Sequence, residues 1–336
     1  MIPATFFTWG PYLGNKQFDA SDKILNRDDC LRGFYLLKKT LREHGVDLST
    51  QDVNPPENSA FILFNDMPLP RHVPRGKKCY LLLFESALIR PDNWNMERHA
   101  RFDRIFTWRD DLVDGKKYFK INYYSNILSA PKPETSKKEK LCAMIANNKY
   151  VRSPLELYSR RVEAVRWFEK NHPEDFDLYG GGWDDRPTLK SAAKALLNFA
   201  PERIFERKFP SYRGRVESKN AALQKYKFAI CYENARGIPG YITEKIIDCL
   251  AAGCVPVYWG APNIADHIPK EAFIDFTSFS GYESLYRYLR NMPENEYAGY
   301  LDAGKNFLTG EKGRAFSAEF FANQVSARIL EDFKNF

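Results

Sequence analysis

An α/β fold made of two halves is predicted by three features of the sequence. Residues 226–260 have the pattern of a strand, a polar loop, a helix and a second strand, which is a βαβ unit. Short apolar runs of strand length alternate with helical patterns on both sides of a polar segment, Pro131–Lys140. The chain of 336 residues is long for one core, so we expect two domains of roughly 150 residues each.

The first half is expected to contain one helix and several strands. Residues 1–27 are rich in turn signals and predict no regular element. A helix is predicted from Cys30 to Leu41, where apolar residues recur at helical spacing, and Gly45 ends it. Apolar or aromatic runs of strand length follow at 59–64, 79–84, 102–108 and 118–123.

The second half begins after Pro131–Lys140, which is rich in Pro, Lys and Ser and is the best candidate for a linker. Strands are predicted at 141–146, 176–179, 226–232, 255–259 and 273–276, and helices at 155–168, 242–251, 285–292 and 316–333. Residues 189–199 are expected to form a helical or irregular insert. The predicted boundaries are 1–135 for an N-terminal domain, 141–312 for a C-terminal domain and 313–336 for a C-terminal helix that packs back on the N-terminal domain.

The charge and the cysteines limit the class of protein. A net charge of +7, from 50 Lys and Arg against 43 Asp and Glu, is mild and mostly interspersed. It lacks the basic stripe that is typical of nucleic-acid binding, and an anionic small ligand or a weakly anionic membrane surface explains it as well. The six cysteines form no C-x-x-C pair, so we expect them to be reduced and buried, as in the cytoplasm. The sequence predicts neither a signal peptide nor a membrane-spanning run.

The loop inside the βαβ unit is a candidate binding site, because open α/β sheets bind ligands at the carboxyl ends of their strands. Lys245 lies in the first turn of the helix, where the helix dipole disfavours a cation unless an anion such as phosphate binds there. Glu244 can accept hydrogen bonds from a pair of sugar hydroxyls, and Glu233, Asn234 and Tyr241 flank the same loop. The alternative is a solvated helix start in which Glu244 and Lys245 pair with no further consequence.

Glu85 is a candidate general base. It follows the apolar run Cys79–Phe84, and at the carboxyl end of a strand its carboxylate would face a cleft and have a raised pKa. General-base catalysis needs a group of that kind. The alternative is a solvent-exposed glutamate at the end of a strand.

Other motifs give weaker indications. Residues 180–182, Gly-Gly-Gly, lack the spacing of a phosphate-binding loop and predict a tight turn. Asp175 and Asp177 are interpreted as an incidental pair rather than a metal site, and the five histidines lack the spacing of a zinc site. We therefore predict no metal ligands.

One long segment carries a resemblance to a known family. YENARGIPGYITEKIIDCLAAGCVPVYWGAPNIADHIP, residues 232–269, resembles the pattern of glycosyltransferase family 10, the α-1,3/α-1,4-fucosyltransferases. The shared features are a Glu-Asn pair, a Tyr-Ile-Thr-Glu-Lys segment, a helix, and then Pro-Val-Tyr-x-Gly and Pro-Asn. CAMIANNKYVRSPLELYSRRVEAVRWF and FESALIRPDNW with FDRIFTW match the family less closely.

The resemblance implies a GT-B architecture, in which two Rossmann-like domains face each other across a cleft. It also implies an inverting transferase that moves L-fucose from GDP-β-L-fucose without a metal or other cofactor. By position, Arg161 and Lys245 would neutralise the pyrophosphate, with Arg160 as the alternative to Arg161. Asn234 and Tyr241 would hold phosphate or sugar.

Two further roles follow from the same resemblance. Glu244 would bind the ribose hydroxyls, and Glu85 would deprotonate the acceptor hydroxyl. The expected acceptor is an oligosaccharide or glycolipid with N-acetylglucosamine or a β-galactoside, as in surface polysaccharide or lipopolysaccharide synthesis. We expect a cytoplasmic protein with no nucleic-acid partner and no integral membrane segment, and peripheral contact with the inner membrane stays open.

Two alternatives remain at this point. The nearer one is a GT-B glycosyltransferase that uses another nucleotide sugar, because the loop residues specify neither guanine nor fucose. The farther one is a non-enzymatic protein that binds a glycan or a nucleic acid, and such a protein would have no affinity for nucleotides.

Overall fold

The structure is a computed structural model, and it describes residues 1–125, 138–184 and 209–333. Most of the predicted linker and all of the predicted insert at 189–199 lie outside these ranges. Within them, the strands are β1 Ile2–Phe7, β2 Val46–Thr50, β3 Phe61–Asn65, β4 Lys78–Leu83, β5 Arg104–Thr107, β6 Tyr118–Lys120, β7 Lys140–Ile145, β8 Phe176–Tyr179, β9 Tyr226–Tyr232, β10 Val255–Trp259 and β11 Ile274–Asp275.

The helices alternate with these strands along much of the chain, which is typical of an α/β protein. They are α1 Arg32–Glu43, α2 Met96–His99, α3 Tyr158–Asn171, α4 Lys219–Leu223, α5 Glu244–Ala251, α6 Ile264–His267, α7 Tyr282–Asn291, α8 Glu294–Thr309, α9 Glu311–Arg314 and α10 Ala318–Glu331. The predicted α/β class is confirmed.

The first sheet is parallel and has the strand order β2-β1-β3-β4-β5-β6. The turn-rich residues 1–27, for which no element was predicted, contain Ile2–Phe7, an internal strand of this sheet. Pro3 hides the strand in the sequence, since proline cannot donate a ladder hydrogen bond. The strand tolerates Pro3 near its start, where the carbonyl of Pro3 accepts from the N–H of Ala60.

The second sheet is also parallel, with the order β11-β10-β9-β7-β8. From β7 the chain goes to β8 on one side and later to β9 on the other side. The sheet therefore has a topological switch point between β7 and β9, and such points bind ligands in open α/β sheets. The apolar residues of β7 and β9 are buried because both faces of the sheet are covered.

The C-terminal helix α10 packs on α1 of the first half, as predicted. The rings of Phe34 and Phe321 meet edge to face at 5.6 Å, and Gly33 gives α1 the clearance for this approach. Arg32 pairs with Glu319 at 3.1 Å, and Arg104 pairs with Glu331 at 2.7 Å. The second half of the chain thus sends its last helix back to the first sheet. The domain boundaries at 1–135 and 141–312 stay predictions.

The cysteines follow their predicted environment except at one position. Five of them are buried, but Cys30 is exposed, so the prediction that all six are buried is wrong there. Cys30 lies just before α1, where the turn of the chain leaves its side chain at the surface. None of the described helices is both long enough and apolar enough to cross a membrane.

Candidate active site

A cavity of about 590 Å³ lies between the two sheets, and the carboxyl ends of β4, β7, β8 and β9 open into it. Its volume is in the range of small-molecule sites. All six predicted site residues line it, namely Glu85, Arg161, Asn234, Tyr241, Glu244 and Lys245. They come from strand ends and helix starts that are far apart in sequence, so the fold brings the predicted donor residues and the predicted base to one place.

Lys245 is anchored at the start of α5 by a buried carboxylate. Glu233, at the carboxyl end of β9, is 0% exposed and accepts hydrogen bonds from the N–H and the hydroxyl of Thr243, both at 2.7 Å. The ammonium of Lys245 lies 3.4 Å from Glu233 and donates to the Thr243 hydroxyl at 2.8 Å. The Lys245 side chain is only 18% exposed, so this helix start is not fully solvated.

Glu244 lies beside Lys245 and between two cations. Its carboxylate is 3.4 Å from the ammonium of Lys219 and 3.9 Å from that of Lys245. Burial acts to raise the pKa of Glu244, but the charges of Lys245 and Lys219 outweigh it and lower that pKa to about 2. The carboxylate is therefore ionised at any working pH and acts only as a hydrogen-bond acceptor.

Lys219 is a cavity residue that the sequence analysis missed. It begins the short helix α4, and its ammonium also pairs with Asp248 at 2.9 Å. Its backbone N–H donates to Asp28 of the first half at 3.0 Å, so it lies where the two halves meet. Both acidic partners of the ammonium come from α5, which explains why the pKa of Lys219 is raised despite burial. A lysine with no neighbouring motif carries no signal that would reveal this role.

Arg161 is a buried guanidinium, 2% exposed, on the wall of the cavity. Its Nη2 donates to the carbonyl of Tyr232 at 2.7 Å and to the side-chain oxygen of Asn234 at 2.9 Å, both uncharged groups. Within the described part of the chain, its Nε and the hydroxyl of Tyr158 have no hydrogen-bond partner. A buried cation that is held by neutral groups and leaves donors unpaired is suited to an anionic ligand.

Arg160, the alternative to Arg161, has a different environment. It lies on the surface of α3, 43% exposed, and pairs with Glu163 at 2.7 Å. It is absent from the residues that line the cavity. The geometry therefore favours Arg161 as the residue that meets a bound anion.

Glu85 faces the same cavity from the carboxyl end of β4 and is half-buried, which argues against a merely solvated strand end. Burial raises the pKa of Glu85 and the nearby Asp66 raises it further, while Lys149 and Lys245 act in the opposite direction. The raised pKa agrees with the expectation from the sequence. A carboxylate with these properties can take a proton from a hydroxyl group.

Tyr241 forms the joint between the two halves rather than projecting freely into the cavity. It is 1% exposed, and its ring lies 4.7 Å from that of Trp108 in the first half. Gly240, at a φ of +76°, has no room for a side chain, because a Cβ would lie 2.3 Å from the carbonyl oxygen of Trp108. Asp110 then joins the halves through His267 at 2.7 Å and Asn263 at 2.8 Å.

The glycine run and Asp177 of the aspartate pair both have structural contacts in the second half. Gly180 and Gly182 have positive φ angles and pack against the backbone of Ala146 and Asn148, so 180–182 is a tight turn that also forms cavity wall. Asp177 is buried and bound by Lys140 and Arg213 at 2.6 and 2.7 Å. Among the described residues, no cluster of three His, Cys, Asp or Glu side chains could hold a metal ion.

A family model matches residues 135–311, which is more than half of the chain and includes Arg161, Asn234, Tyr241, Glu244 and Lys245. The model is that of glycosyltransferase family 10 (fucosyltransferase), C-terminal part. The chain belongs to glycosyltransferase family 10. The matched range ends before α10 and begins just before β7.

Relatives and a solved structure agree with this family. The α-(1,3)-fucosyltransferase FucT of Helicobacter pylori is 35% identical over 120 residues, which cover 35% of this chain and 24% of the relative. The α-(1,3)-fucosyltransferase B of Drosophila melanogaster is 31% identical over 244 residues, 69% of this chain and 48% of the relative. The chain thus aligns with less than half of the length of either relative.

A crystal structure of an α1,3-fucosyltransferase with GDP superposes with a TM-score of 0.56 at 17% identity, over 98% of this chain and 91% of the other. At this identity the likeness concerns the fold. Together with the two facing parallel sheets, it confirms the GT-B architecture that the resemblance implied.

Proposed function

We propose that this protein transfers L-fucose from GDP-β-L-fucose to a glycan hydroxyl, with inversion at the anomeric carbon. The observation that carries the proposal is the arrangement of one cavity. Glu85, with its raised pKa, faces it from the first sheet, and the cations Arg161 and Lys245 face it from the second. Family membership and the GDP in the superposed α1,3-fucosyltransferase favour this donor.

The donor would bind on the side of the second sheet. Arg161 and Lys245 would contact the pyrophosphate, and the Nε of Arg161 would gain the partner that the described residues do not give it. The positive end of the α5 helix dipole, at its first N–H groups, would face the same anion. Glu244 would accept from the ribose hydroxyls, while Asn234 and Tyr241 would border the phosphate or the sugar.

The chemical step is a displacement at the anomeric carbon of fucose. The acceptor oxygen forms a bond to this carbon, while the bond from the carbon to the β-phosphate oxygen breaks and its electron pair leaves with GDP. Glu85 accepts the proton of the attacking hydroxyl. The β-linked donor therefore gives an α-linked product. Arg161 and Lys245 would stabilise the negative charge that develops on GDP, so we expect turnover to persist when divalent metals are chelated.

The acceptor would approach from the first sheet. A second cavity of about 790 Å³ lies there and shares Glu85, Tyr123 and Glu244 with the donor cavity. Trp9, 46% exposed, lines its outer part and offers an aromatic face to a sugar ring. A neutral acceptor with N-acetylglucosamine or a β-galactoside is proposed, with α-1,3 linkage as in the two named relatives.

The first test measures how much GDP, UDP, CMP and GDP-fucose stabilise the protein against heat in the presence of EDTA. Selective stabilisation by GDP and GDP-fucose is expected, because a ligand that binds only the folded state raises its stability. Stabilisation by UDP or CMP instead would keep the architecture but reject fucose. No shift with any nucleotide would reject the donor site as a whole. Lys305 is an exposed residue of α8 and serves as the control. Loss of the GDP shift in Lys245→Ala, but not in Lys305→Ala, would locate GDP binding at the start of α5.

The proposal extends to the biological setting. The cysteines of the described residues form no disulfide, which supports a reducing compartment, and we propose a cytoplasmic enzyme of surface polysaccharide or lipopolysaccharide synthesis. Peripheral membrane contact would appear as sedimentation with anionic vesicles at low salt, and binding that survives high salt would contradict an electrostatic contact.

A further inference from the structure

We propose that Asp66 positions Glu85 by holding the end of strand β4 and by placing a second negative charge beside it. The inference rests on the proposed function, in which Glu85 is the general base. Asp66 follows β3, which is the neighbour of β4 in the first sheet. No motif marks it in the sequence, because the strand order is needed to bring it next to Glu85.

The Asp66 carboxylate binds the peptide units around Glu85. Its Oδ1 accepts from the N–H of Phe84 at 2.9 Å and from the N–H of Glu85 at 3.1 Å. Asp66 itself has a φ of +63°, a left-handed conformation that aspartate, asparagine and glycine tolerate better than other residues. The two N–H groups just past the end of β4 thus bind a side chain in place of a neighbouring strand.

The carbonyls of the same two residues are held as well. Trp108 donates to the Phe84 carbonyl at 2.8 Å, and the hydroxyl of Tyr123 donates to the same oxygen. Trp94 and Asn93 donate to the Glu85 carbonyl at 3.1 and 3.0 Å. Asn93 also donates to Asp66 Oδ1 at 2.7 Å, which closes the network. Since all four backbone polar groups have side-chain partners, this network fixes the backbone from which the Glu85 side chain extends.

The network also joins Glu85 to the donor side. Trp108 and Tyr123 both contact the ring of Tyr241, with ring centroids 4.7 and 6.1 Å apart. The side chains that hold the Phe84 carbonyl therefore touch the loop before α5, where the donor would lie. A shift of the β4 end would move Glu85 relative to the anomeric carbon, and small displacements of reacting groups are costly.

The charge of Asp66 acts on Glu85 in a known direction. Asp66 is buried, and burial raises its own pKa, while its charge adds to burial in raising the pKa of Glu85. The other charged and titratable groups around Glu85 are Arg90, Tyr123, Lys149, Tyr158, Tyr241, Glu244 and Lys245. Because the two carboxylates interact, the acid limb of a pH profile reports the pair rather than one residue.

Two variants separate the charge from the hydrogen bonds. Asp66→Asn keeps an oxygen acceptor and tolerates the left-handed backbone but removes the charge. We expect the acid limb of kcat/KM to move to lower pH by about 0.5 to 1 unit, because a like charge next to Glu85 is lost. Asp66→Gly also fits the backbone but removes the acceptor, and we expect kcat to fall about 10- to 100-fold with the Kd for GDP within about twofold of wild type.

Asp103→Asn is the matched control. Asp103 accepts from the N–H of Cys79 at 2.8 Å and so holds the amino end of the same strand β4. Asp103→Asn removes the charge at that end of the strand, and Asp103→Gly removes the acceptor as well. Both substitutions are expected to leave the acid limb and kcat unchanged at a temperature where the protein is folded.

Several results would overturn the inference. An acid limb that stays in place in Asp66→Asn would reject the charge effect, and an unchanged kcat in Asp66→Gly would reject the positioning. Equal losses in Asp66→Gly and Asp103→Gly, or a loss of GDP binding with Asp66→Gly, would indicate a structural role only.

A readout without turnover keeps this test separate from the proposed function. In protein labelled with ¹³C at the glutamate side-chain carboxyls, the Glu85 signal is assigned by its absence in Glu85→Gln. Its titration midpoint should fall in Asp66→Asn and stay in place in Asp103→Asn. If wild-type protein shows no fucose transfer while the midpoint still moves, the proposed function fails and the link between the two carboxylates holds. A midpoint that does not move contradicts the link whether or not transfer occurs.

Discussion

The cavity has a glutamate on each side, and the surroundings shift the pKa values of the two carboxyl groups in opposite directions. Glu85 comes from the first sheet, where burial and the negative charge of Asp66 raise its pKa. Glu244 comes from the second sheet, where burial also acts to raise the pKa, but the cations Lys245 and Lys219 lower it to about 2. Burial acts to raise the pKa of both carboxyl groups, so the balance of nearby charges decides the difference: cations outweigh burial at Glu244 but not at Glu85.

Under the proposed function, this difference suits the two carboxylates to different tasks. A carboxylate that is ionised at every working pH serves as a constant hydrogen-bond acceptor, which suits contact with ribose hydroxyls. A carboxylate with a raised pKa binds a proton more readily, which suits the acceptance of a proton from a sugar hydroxyl. In the proposed mechanism, donor binding and proton transfer would thus use different carboxylates of one cavity.

The largest effect is expected when Glu85 loses its basicity. Glu85→Gln should lower kcat by about 10²- to 10⁴-fold, because general-base catalysis contributes an effect of that size. The affinity for GDP should be almost unchanged, as measured by titration calorimetry. Glu97→Gln, an exposed position on α2, is the control with full activity. Full kcat in Glu85→Gln would reject Glu85 as the base.

Removal of Lys245, the cation next to Glu244, should have the next largest effect, and it concerns the affinity for GDP. Lys245→Ala should raise the Kd for GDP about 10- to 100-fold, because it removes a charge-assisted contact to phosphate. Equilibrium binding of GDP measures this, with Lys305→Ala as the control. An unchanged Kd would show that the cation at the start of α5 does not meet the nucleotide.

Glu244→Gln should have a smaller effect that sharpens the contrast with Glu85. The variant keeps an acceptor oxygen, so we expect the Kd for GDP to rise only about 2- to 10-fold. With a pKa of about 2, Glu244 does not change its charge near neutrality. The ratio of the Kd for GDP in Glu244→Gln to that in wild type should therefore be constant between about pH 5 and 8. A ratio that changes across this range would contradict the lowered pKa. Glu283→Gln is the control, because the Glu283 side chain is exposed on the surface of α7.

The smallest expected effect is on stability, and it depends on pH. A carboxyl group with a raised pKa in the folded state stabilises the fold in its protonated form, and this contribution is lost as the pH rises through that pKa. Glu85→Gln imitates the protonated form, so it should raise the Tm by about 1 to 2 °C at neutral pH. The gain should disappear at low pH, below the ordinary pKa of glutamate. A lower Tm in Glu85→Gln at neutral pH would contradict the direction of the shift.

The site residues could be predicted where they lie close together in the sequence. Asn234, Tyr241, Glu244 and Lys245 lie within one strand-loop-helix segment, so the sequence order alone places them together. Glu85 was predictable because it follows a continuous apolar strand. The resemblance to a family then added Arg161, which the residue pattern alone does not single out.

The remaining parts depend on tertiary structure. Lys219 and Asp66 reach the site through strand order and through contacts between the halves, and neither feature has a local sequence pattern. Strand β1 was missed because Pro3 and the turn signals after it are unfavourable for a strand in the local sequence. The segment is a strand because it pairs with β2 and β3. The first helix was predicted to begin at Cys30, with this residue on its buried face. In the structure the helix begins at Arg32, so Cys30 lies outside it and is exposed.

The most direct test of the central claim is the product of the reaction. Wild-type protein and Glu85→Gln are incubated with GDP-fucose and N-acetyllactosamine in EDTA, and the product is analysed by NMR. The account predicts one α-linked fucose on the N-acetylglucosamine for each GDP released, and almost no product with Glu85→Gln. A β-linked product, or equal turnover by the two proteins, would contradict inverting transfer with Glu85 as the base.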